Sequence, residues 1–138
     1  MKNKIKVTFL LDPKNNWIEK NIKKNFLLIN KKFQFKITKN YKKVSKQNIV
    51  FILGYTKILP NSFLKKNNLN LVVHESNLPK GKGFAPVQWQ VIKNQNKIPI
   101  CLIEANEKVD SGPILAKSFF SLKGNELNSE IRLKQAIA

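Results

Sequence analysis

The sequence contains a single cysteine, Cys101, and a single histidine, His74, among its 138 residues. One cysteine excludes an internal disulfide and is typical of proteins from a reducing compartment. We interpret Cys101 as a small buried residue rather than a reactive thiol. One cysteine and one histidine cannot form a zinc-type site, so we predict no bound metal.

Long apolar runs are also lacking. No run approaches the ~20 residues that a membrane-spanning helix needs. The apolar run near the start, residues 7–11, is too short for the hydrophobic core of a signal peptide and ends at Asp12. We interpret it as part of a first strand and expect a cytoplasmic protein.

Acidic residues and arginine are scarce, whereas lysine is abundant. The 26 basic residues include one arginine, Arg132, and 8 acidic residues oppose them, which gives a formal net charge of +18. Residues 1–48 hold fourteen lysines and two acids, a net +12, without forming a compact block. Proteins that read base edges favour the planar arginine fork. A basic nucleic-acid-binding module is therefore an alternative that rests on charge alone, and specific binding to nucleic acid is not expected.

Apolar runs of strand length alternate with helical patterns along the chain. The continuous runs at 49–53 and 69–73 predict buried strands, whereas the alternation at 33–38 predicts an edge strand. Further strands are predicted at 5–11, 98–104 and 113–122, and helices at 61–66, 86–94 and 128–138. This alternation favours a single α/β domain over residues 1–138, with a mostly parallel sheet between helices on both faces.

The first helix is predicted to begin at Trp17, with Asn16 as its N-cap. It would present an apolar stripe to the core. The stripe consists of Trp17, Ile18, Ile22, Phe26, Leu27 and Ile29.

The most distinctive stretch runs from Leu69 to Trp89. A buried strand leads directly into His74, and the prolines and glycines between Pro79 and Pro86 force an irregular loop. Pro86 suits the first turn of the helix that follows. Open α/β sheets build their sites at the carboxyl ends of strands. His74 is therefore a candidate functional residue, and a structural, hydrogen-bonded role for it remains equally open on local sequence alone.

Three segments together resemble the catalytic domain of the 10-formyltetrahydrofolate-dependent formyltransferases. They are NIVFILGYTKILP (48–60), VVHESNLPKGKGFAPVQW (72–89) and EKVDSGPIL (107–115). That family includes methionyl-tRNA, glycinamide-ribonucleotide and amino-sugar formyltransferases, and the resemblance covers roughly residues 48–122. The opening LLDPKNNWI (10–18) resembles a compact subgroup associated with surface-polysaccharide sugars. The resemblance implies a three-layer Rossmann-like fold and 10-formyltetrahydrofolate as cosubstrate.

Carried over by position, the resemblance implies that His74 and Asp110 are the catalytic residues. The family's asparagine, two residues before the histidine, is replaced here by Val72. Asn70 lies on the same strand face but ~6.6 Å deeper at ~3.3 Å per residue. Donors around the oxyanion of the tetrahedral intermediate supply much of the rate. We therefore predict a slow enzyme, an oxyanion hole completed by Gln88 or Asn77, or a protein that binds without catalysing.

The resemblance also implies weaker assignments. Substrate contacts are expected from Ser76, Lys80, Lys82 and Gln88, although Ser76 could serve the loop and the lysines could form a solvated turn. The pterin pocket is expected at Leu59, Pro60, Ile103, Glu104 and Val109, which could equally be ordinary core residues.

The predicted function is transfer of a formyl group from 10-formyltetrahydrofolate to a primary amine, in particular that of a nucleotide-linked amino sugar. The alternative from the same resemblance is a non-catalytic binder of folate or sugar nucleotide. The carboxy-terminal domain of the tRNA-specific members is not in this sequence, and its last helical pattern has no stop signal, so we expect truncation at the C-terminus. The oligomeric state is left open.

Overall fold

The computed structural model describes residues 4–25 and 32–138. Within these ranges the strands are β1 (Ile5–Leu11), β2 (Phe33–Thr38), β3 (Ile49–Leu53), β4 (Leu69–His74), β5 (Lys97–Glu104) and β6 (Ile114–Ser121). The α-helices are α1 (Asn16–Asn25), α2 (Asn61–Lys66), α3 (Pro86–Ile92) and α4 (Asn128–Ile137). A short 3₁₀ turn spans Tyr41–Lys43.

The strands form one sheet in the order β2-β1-β3-β4-β5-β6. Strand β1 pairs in parallel with β2 and β3, and β3 pairs in parallel with β4. Strands β5 and β6 are antiparallel. The predicted α/β class with a mostly parallel sheet is confirmed, and β2 is an edge strand as its alternating pattern indicates. By its contacts the chain divides into two compact units, residues 1–72 and residues 73–138.

In the first unit the core is built around β1. Val7, Phe9 and Leu11 point to one face, where they pack with Ile22 of α1. The Phe9 ring stacks on Phe51 with centroids 5.4 Å apart. Successive residues of a strand point to opposite faces, and Thr8 and Leu10 on the other face are also fully buried. Burial on both sides explains why this strand is a continuous apolar run.

Polar contacts fix the loops that follow β1 and β3. The buried Asp12 carboxylate accepts hydrogen bonds from the Thr56 hydroxyl and from the Lys14 backbone N–H. The bond from Thr56 is the main cause that lowers the pKa of Asp12. Beside it, Asn15 donates to the Gly54 carbonyl at 2.7 Å. A Cβ at position 54 would lie 2.4 Å from the Asn15 amide nitrogen and would displace that side chain, and the φ of +56° at Gly54 also favours glycine.

The capping prediction for α1 is wrong. The helix begins at Asn16 itself, and the Asn16 side chain accepts a hydrogen bond from Lys39. Ile22 is buried as predicted. Ile18 packs against the same cluster and Trp17 is half-buried, whereas Phe26, Leu27 and Ile29 lie outside the described residues.

In the second unit, α3 and α4 contribute to one cluster with β5 and β6. Its buried residues are Val87, Ile98, Ile100, Phe120 and Leu122, with Val73 and Ile131 packed against them. Pro86 occupies the first turn of α3 as predicted. The helix ends two residues earlier than predicted, because Asn94 adopts a left-handed conformation with φ 56°. None of the helices described is long and apolar enough to cross a membrane.

Candidate active site

His74 is the last residue of β4, and its imidazole is held by the loop that follows. The Nε2 atom lies 2.8 Å from the Gly81 carbonyl oxygen. A carbonyl oxygen only accepts, so Nε2 carries the proton and donates it. This bond fixes the tautomer of a neutral ring and leaves Nδ1 as its basic nitrogen.

The other nitrogen of the His74 ring, Nδ1, faces Asp110. It lies 3.5 Å from Asp110 Oδ1, and the two side chains are 8% and 10% exposed. The other carboxylate oxygen accepts the Gly83 backbone N–H at 2.9 Å. One loop thus orients both members of the pair, the ring through Gly81 and the carboxylate through Gly83.

Asp110 sits in an uncommon backbone conformation. Its φ is 51°, in the left-handed region that asparagine and aspartate tolerate better than other non-glycine residues. Two residues on, Gly112 lies against the end of β5, where an added Cβ would be 1.6 Å from the Glu104 carbonyl oxygen. Two positions of the Asp110-Ser111-Gly112 sequence therefore suit this turn. Asp110 tolerates the left-handed conformation, and Gly112 has no side chain to collide with Glu104.

A further contact joins the loop of Gly81 and Gly83 to the turn that carries Asp110. Lys82 Nζ donates to Ser111 Oγ at 2.7 Å. Together with the bond from Gly83 to Asp110, it connects residues 81–83 to residues 110–111. The imidazole and the carboxylate, far apart in the chain, are brought together by backbone and side-chain bonds of the second unit alone.

The chemistry of the pair depends on one proton. In a neutral ring with the Nε2 proton, the Nδ1 lone pair would face an ionised carboxylate, which is repulsive. A proton on either atom makes the contact attractive. The arrangement can therefore take up a proton at Nδ1, stabilise the resulting charge through Asp110, and return the proton.

The predicted substrate residues divide into bound and exposed side chains. Ser76 is buried and donates to the Lys80 carbonyl at 2.8 Å, so its hydroxyl holds the loop. Lys80 is exposed, whereas Lys82 is bonded to Ser111 as described. Asn77 accepts from Lys117 at 3.4 Å. The Gln88 amide, oriented with its oxygen toward Arg132, accepts from that guanidinium at 3.1 Å.

Of the residues predicted to line a pterin pocket, three belong to the second unit. Ile103, on β5, is only 1% exposed, so its side chain is part of the buried hydrophobic core. Glu104 is half-buried, and Val109 is 59% exposed on the loop that carries Asp110. Leu59, half-buried, and Pro60, exposed, precede α2 in the first unit. Their contact with a pterin stays a prediction.

Asn70 does not offer a spare amide. It is buried, its Nδ2 donates to the Leu64 carbonyl at 2.8 Å, and its oxygen accepts from Asn67 at 3.0 Å. Both ends of the amide are thus used to attach β4 to α2. Val72, at the motif position, is a half-buried residue paired with Ile52.

Sequence reasoning missed two features of the site. The carbonyl of Gly81 and the N–H of Gly83 are backbone groups, which a residue pattern does not reveal. Glu75, directly after His74, carries a carboxyl whose pKa is raised, chiefly by burial. Only its position beside His74 could have drawn attention to it. Across residues 4–25 and 32–138, no three His, Cys, Asp or Glu side chains group so as to hold a metal ion.

Comparison with known proteins gives methionyl-tRNA formyltransferases among the sequence relatives. The methionyl-tRNA formyltransferase of Orientia tsutsugamushi (strain Boryong) is 31% identical over 85 residues, which cover 61% of this chain and 28% of that protein. A second, from Rickettsia massiliae, is 30% identical over 64% of this chain and 30% of its own length. The chain thus spans under a third of the length of these curated relatives.

The fold is shared with solved structures. Methionyl-tRNA formyltransferase from Clostridium thermocellum superposes with a TM-score of 0.81 at 19% identity, over 96% of this chain and 59% of that one. The formyltransferase PseJ from Anoxybacillus kamchatkensis, solved with UDP-4,6-dideoxy-4-formamido-L-AltNAc and tetrahydrofolate, has a TM-score of 0.62 at 19% identity. That match covers 96% of this chain and 70% of PseJ.

The sequence model of a family described as formyl transferase matches residues 4–136, nearly the whole chain. This match includes the strand that ends at His74, the loop of Gly81 and Gly83, and the turn of Asp110. The chain therefore belongs to the formyl transferase family.

Proposed function

We propose that this chain transfers a formyl group from 10-formyltetrahydrofolate to a primary amine, with His74 and Asp110 as its catalytic residues. The observation that carries the proposal is the 3.5 Å approach of His74 Nδ1 to Asp110 Oδ1, in a geometry fixed by Gly81 and Gly83. When bound, the cosubstrate supplies the formyl group, which passes to the amine nitrogen as its bond to N10 breaks and a proton moves from the amine to N10.

His74 and Asp110 manage that proton. Because Nε2–H is committed to the Gly81 carbonyl and Nδ1 faces Asp110, the Asp110 carboxylate takes the proton of the attacking amine and passes it to Nδ1. Asp110 then stabilises the charged ring and holds it in line. A positioned acid–base group of this kind typically contributes about 10²–10⁴-fold to the rate.

The residues near Asp110 have chemistry that suits a pterin. A pterin is flat and apolar on its faces, with amine and amide groups on its edge. The exposed Val109 side chain offers an apolar contact, and the half-buried Glu104 offers a carboxylate to the donors of the edge. Ile103 fits only as a buried support beneath them. The tetrahydrofolate named with PseJ supports a folate cosubstrate here.

The acceptor is proposed as a nucleotide-linked amino sugar, with methionyl-tRNA as the other candidate. PseJ, solved with a formamido nucleotide sugar, supports the first, and the names of the sequence relatives support the second. In this proposal the exposed Lys80, on the loop that holds His74, attracts the phosphates that either acceptor carries.

The direct test is formyl transfer to a panel of UDP-linked amino sugars and to methionyl-tRNA, with release of tetrahydrofolate followed spectroscopically. We expect turnover on one class only. His74→Gln, whose amide can still donate to Gly81, should lose about 10²-fold or more in kcat because it cannot take up a proton. Lys93→Gln, an exposed change, is the control. Equal activity in both variants would remove His74 from the mechanism.

A second candidate function is binding without catalysis. The observation that favours it is Val72 at the position of the motif asparagine, together with the commitment of the Asn70 amide to α2. Loss of one oxyanion donor typically lowers kcat by about 10²–10³-fold. Folate binding by calorimetry, with no transfer to any amine, would establish this alternative.

Val72→Asn separates a slow enzyme from an inert one. If only the amide is missing, the substitution should raise kcat at least about tenfold. Val72→Thr keeps the branched shape without supplying an amide, and it should leave kcat unchanged. An Asn variant that is no faster than the Thr variant would show that something besides the amide is missing.

A further inference from the structure

A polar cluster lies directly behind His74, and the proposed chemistry makes no use of it. Glu75, the next residue, has its carboxylate beneath α4, where Gln135 Nε2 donates to Glu75 Oε1. The Gln135 oxygen in turn accepts from Arg132 Nη1 at 2.9 Å. One amide therefore bridges a half-buried carboxylate and the single arginine of the chain.

The same cluster reaches α3. The second arm of the Arg132 fork donates to the Gln88 oxygen at 3.1 Å. Gln90, also on α3, donates to the backbone carbonyl of Glu75 at 2.7 Å and to that of Pro86 at 2.9 Å. Both helices of the second unit thus contact Glu75. Helix α4 contacts the Glu75 side chain, and α3 contacts the Glu75 backbone carbonyl.

The only arginine occupies the position where a planar fork is needed. Two acceptors on two helices require two donors at a fixed angle, which guanidinium supplies and ammonium does not. The chain uses lysine elsewhere, including Lys134 on the same helix, which donates to Glu126 at 2.6 Å and to the Ser121 carbonyl at 2.9 Å. Lys134 therefore attaches α4 to the segment around β6, whereas Gln135 attaches it to Glu75 after β4 and Arg132 attaches it to α3.

We propose that Glu75, Gln135 and Arg132 form a clamp that positions His74, by fixing the backbone of residue 75 between α3 and α4. The purpose of this clamp depends on the proposed function of His74. Its members are positioning residues, because they touch no reacting atom. His74 and Glu75 share a peptide unit, so a shift of residue 75 moves the ring relative to Gly81 and Asp110. Misplacement by about 1 Å can cost about 10²-fold in rate.

The test uses the fact that His74 is the only histidine. Its imidazole gives a single set of nitrogen signals in a long-range ¹⁵N–¹H spectrum, which reports tautomer and environment without any need for activity. In the unaltered chain we expect the pattern of a ring protonated at Nε2. Gln135→Met removes the bridging donor at similar length, and it should shift or broaden the His74 signals. It should also lower kcat about tenfold with little change in KM.

Lys134→Gln is the matched control, one residue away on the same helix. It should lower thermal stability by loosening α4 yet leave the His74 spectrum as it was. Glu75→Gln can still accept a hydrogen bond from Gln135 and should keep most of the original kcat. Glu75→Ala cannot accept it, and its kcat should fall. If Gln135→Met leaves both spectrum and kcat unchanged, or Lys134→Gln perturbs His74 equally, the clamp is wrong.

The two proposals fail separately. If the unaltered chain transfers no formyl group but Gln135→Met still shifts the His74 signals, the clamp stands and formyl transfer falls. If transfer occurs and the signals do not respond to Gln135→Met, the clamp falls and formyl transfer stands.

Discussion

At the scale of single residues, Asp110 combines an unfavourable backbone conformation with a carboxylate that has two partners. The left-handed region costs most non-glycine residues about 1–2 kcal/mol, and asparagine and aspartate visit it more easily. Such conformations concentrate at functional sites, where the surrounding structure enforces them. A substitution at position 110 must therefore satisfy two separate requirements: it must tolerate the left-handed backbone conformation, and it must supply the negative charge.

Asp110→Asn and Asp110→Ala should separate these two constraints. Asparagine keeps the conformation and can still accept from Gly83, so we expect kcat to fall about 10²-fold or more with a nearly unchanged melting temperature. Alanine should lose similar activity and, in addition, about 1 kcal/mol of unfolding free energy. Kinetics and thermal denaturation measure both. Equal stability of the two variants would contradict the backbone argument.

Glu75 makes a pH-dependent prediction. Burial raises the pKa of its carboxyl, although the Gln135 bond and the charges of His74 and Arg132 oppose the shift; α3 faces it with the neutral Gln90. A folded state that holds this proton more tightly than the unfolded state loses stability as pH rises from the ordinary range of a glutamate through the raised one.

Glu75→Gln should therefore increase the melting temperature at neutral pH and flatten its decline above acidic pH, since the amide never ionises. Melting curves from pH 4 to pH 8 measure this directly. A variant that matches the original protein at pH 4 but is less stable at pH 8 would show that the ionised carboxylate contributes net stability beside Arg132.

At the scale of elements, patterns that depend on local periodicity predicted the structure well. The apolar run at 49–53 and the helical turn predicted at 61–66 match β3 and α2 at both ends, and β1 matches at 5–11. The misses lie at boundaries and caps. The local sequence predicts Asn16 as a cap, but its side chain accepts a hydrogen bond from Lys39, a residue distant in sequence that no local pattern contains.

The site shows the same division between what sequence could and could not predict. The motifs point to His74 and Asp110, and the structure brings their side chains together. The groups that orient them, the Gly81 carbonyl and the Gly83 N–H, depend on the path of a loop. The path depends on close approaches, such as that of Gly112 to Glu104, which sequence records only as one more glycine in a turn.

Gly112→Ala tests that close approach. A Cβ 1.6 Å from the Glu104 carbonyl oxygen forces the turn away from β5 and displaces Asp110 with it. We expect a loss of about 1–3 kcal/mol in unfolding free energy and a large loss of activity. The control is Gly124→Ala, where φ is +97° and no atom lies within 4 Å, so only a conformational cost arises. Similar activity in the two variants would show that the turn can shift without moving Asp110.

At the scale of the whole molecule, the net charge of +18 is the dominant property. Such a charge attracts any polyanion through release of its counterions, whatever the function of the site. The acceptor question therefore cannot be answered by binding to tRNA at low salt. It requires conditions in which the general attraction has been screened.

We expect retardation of tRNA, unrelated RNA and duplex DNA to similar extents at low salt. Affinity should fall by roughly 10³-fold between about 50 mM and 200 mM salt if six or more phosphates are contacted. Electrophoretic titration at several salt concentrations gives the slope. Tight binding to methionyl-tRNA that persists at the higher salt, while binding to uncharged tRNA disappears, would favour the tRNA acceptor over the amino sugar.

The buried Cys101 has a practical consequence. Its thiol is 0% exposed and donates to the Ser76 carbonyl at 3.2 Å, beside the loop that carries the imidazole's partner. A maleimide or aromatic disulfide reagent can reach this sulfur only when β5 and that loop separate, so the rate of alkylation measures the opening of this region. A bound folate that holds the loop closed should slow the labelling, which provides a ligand-screening assay that requires no knowledge of the acceptor.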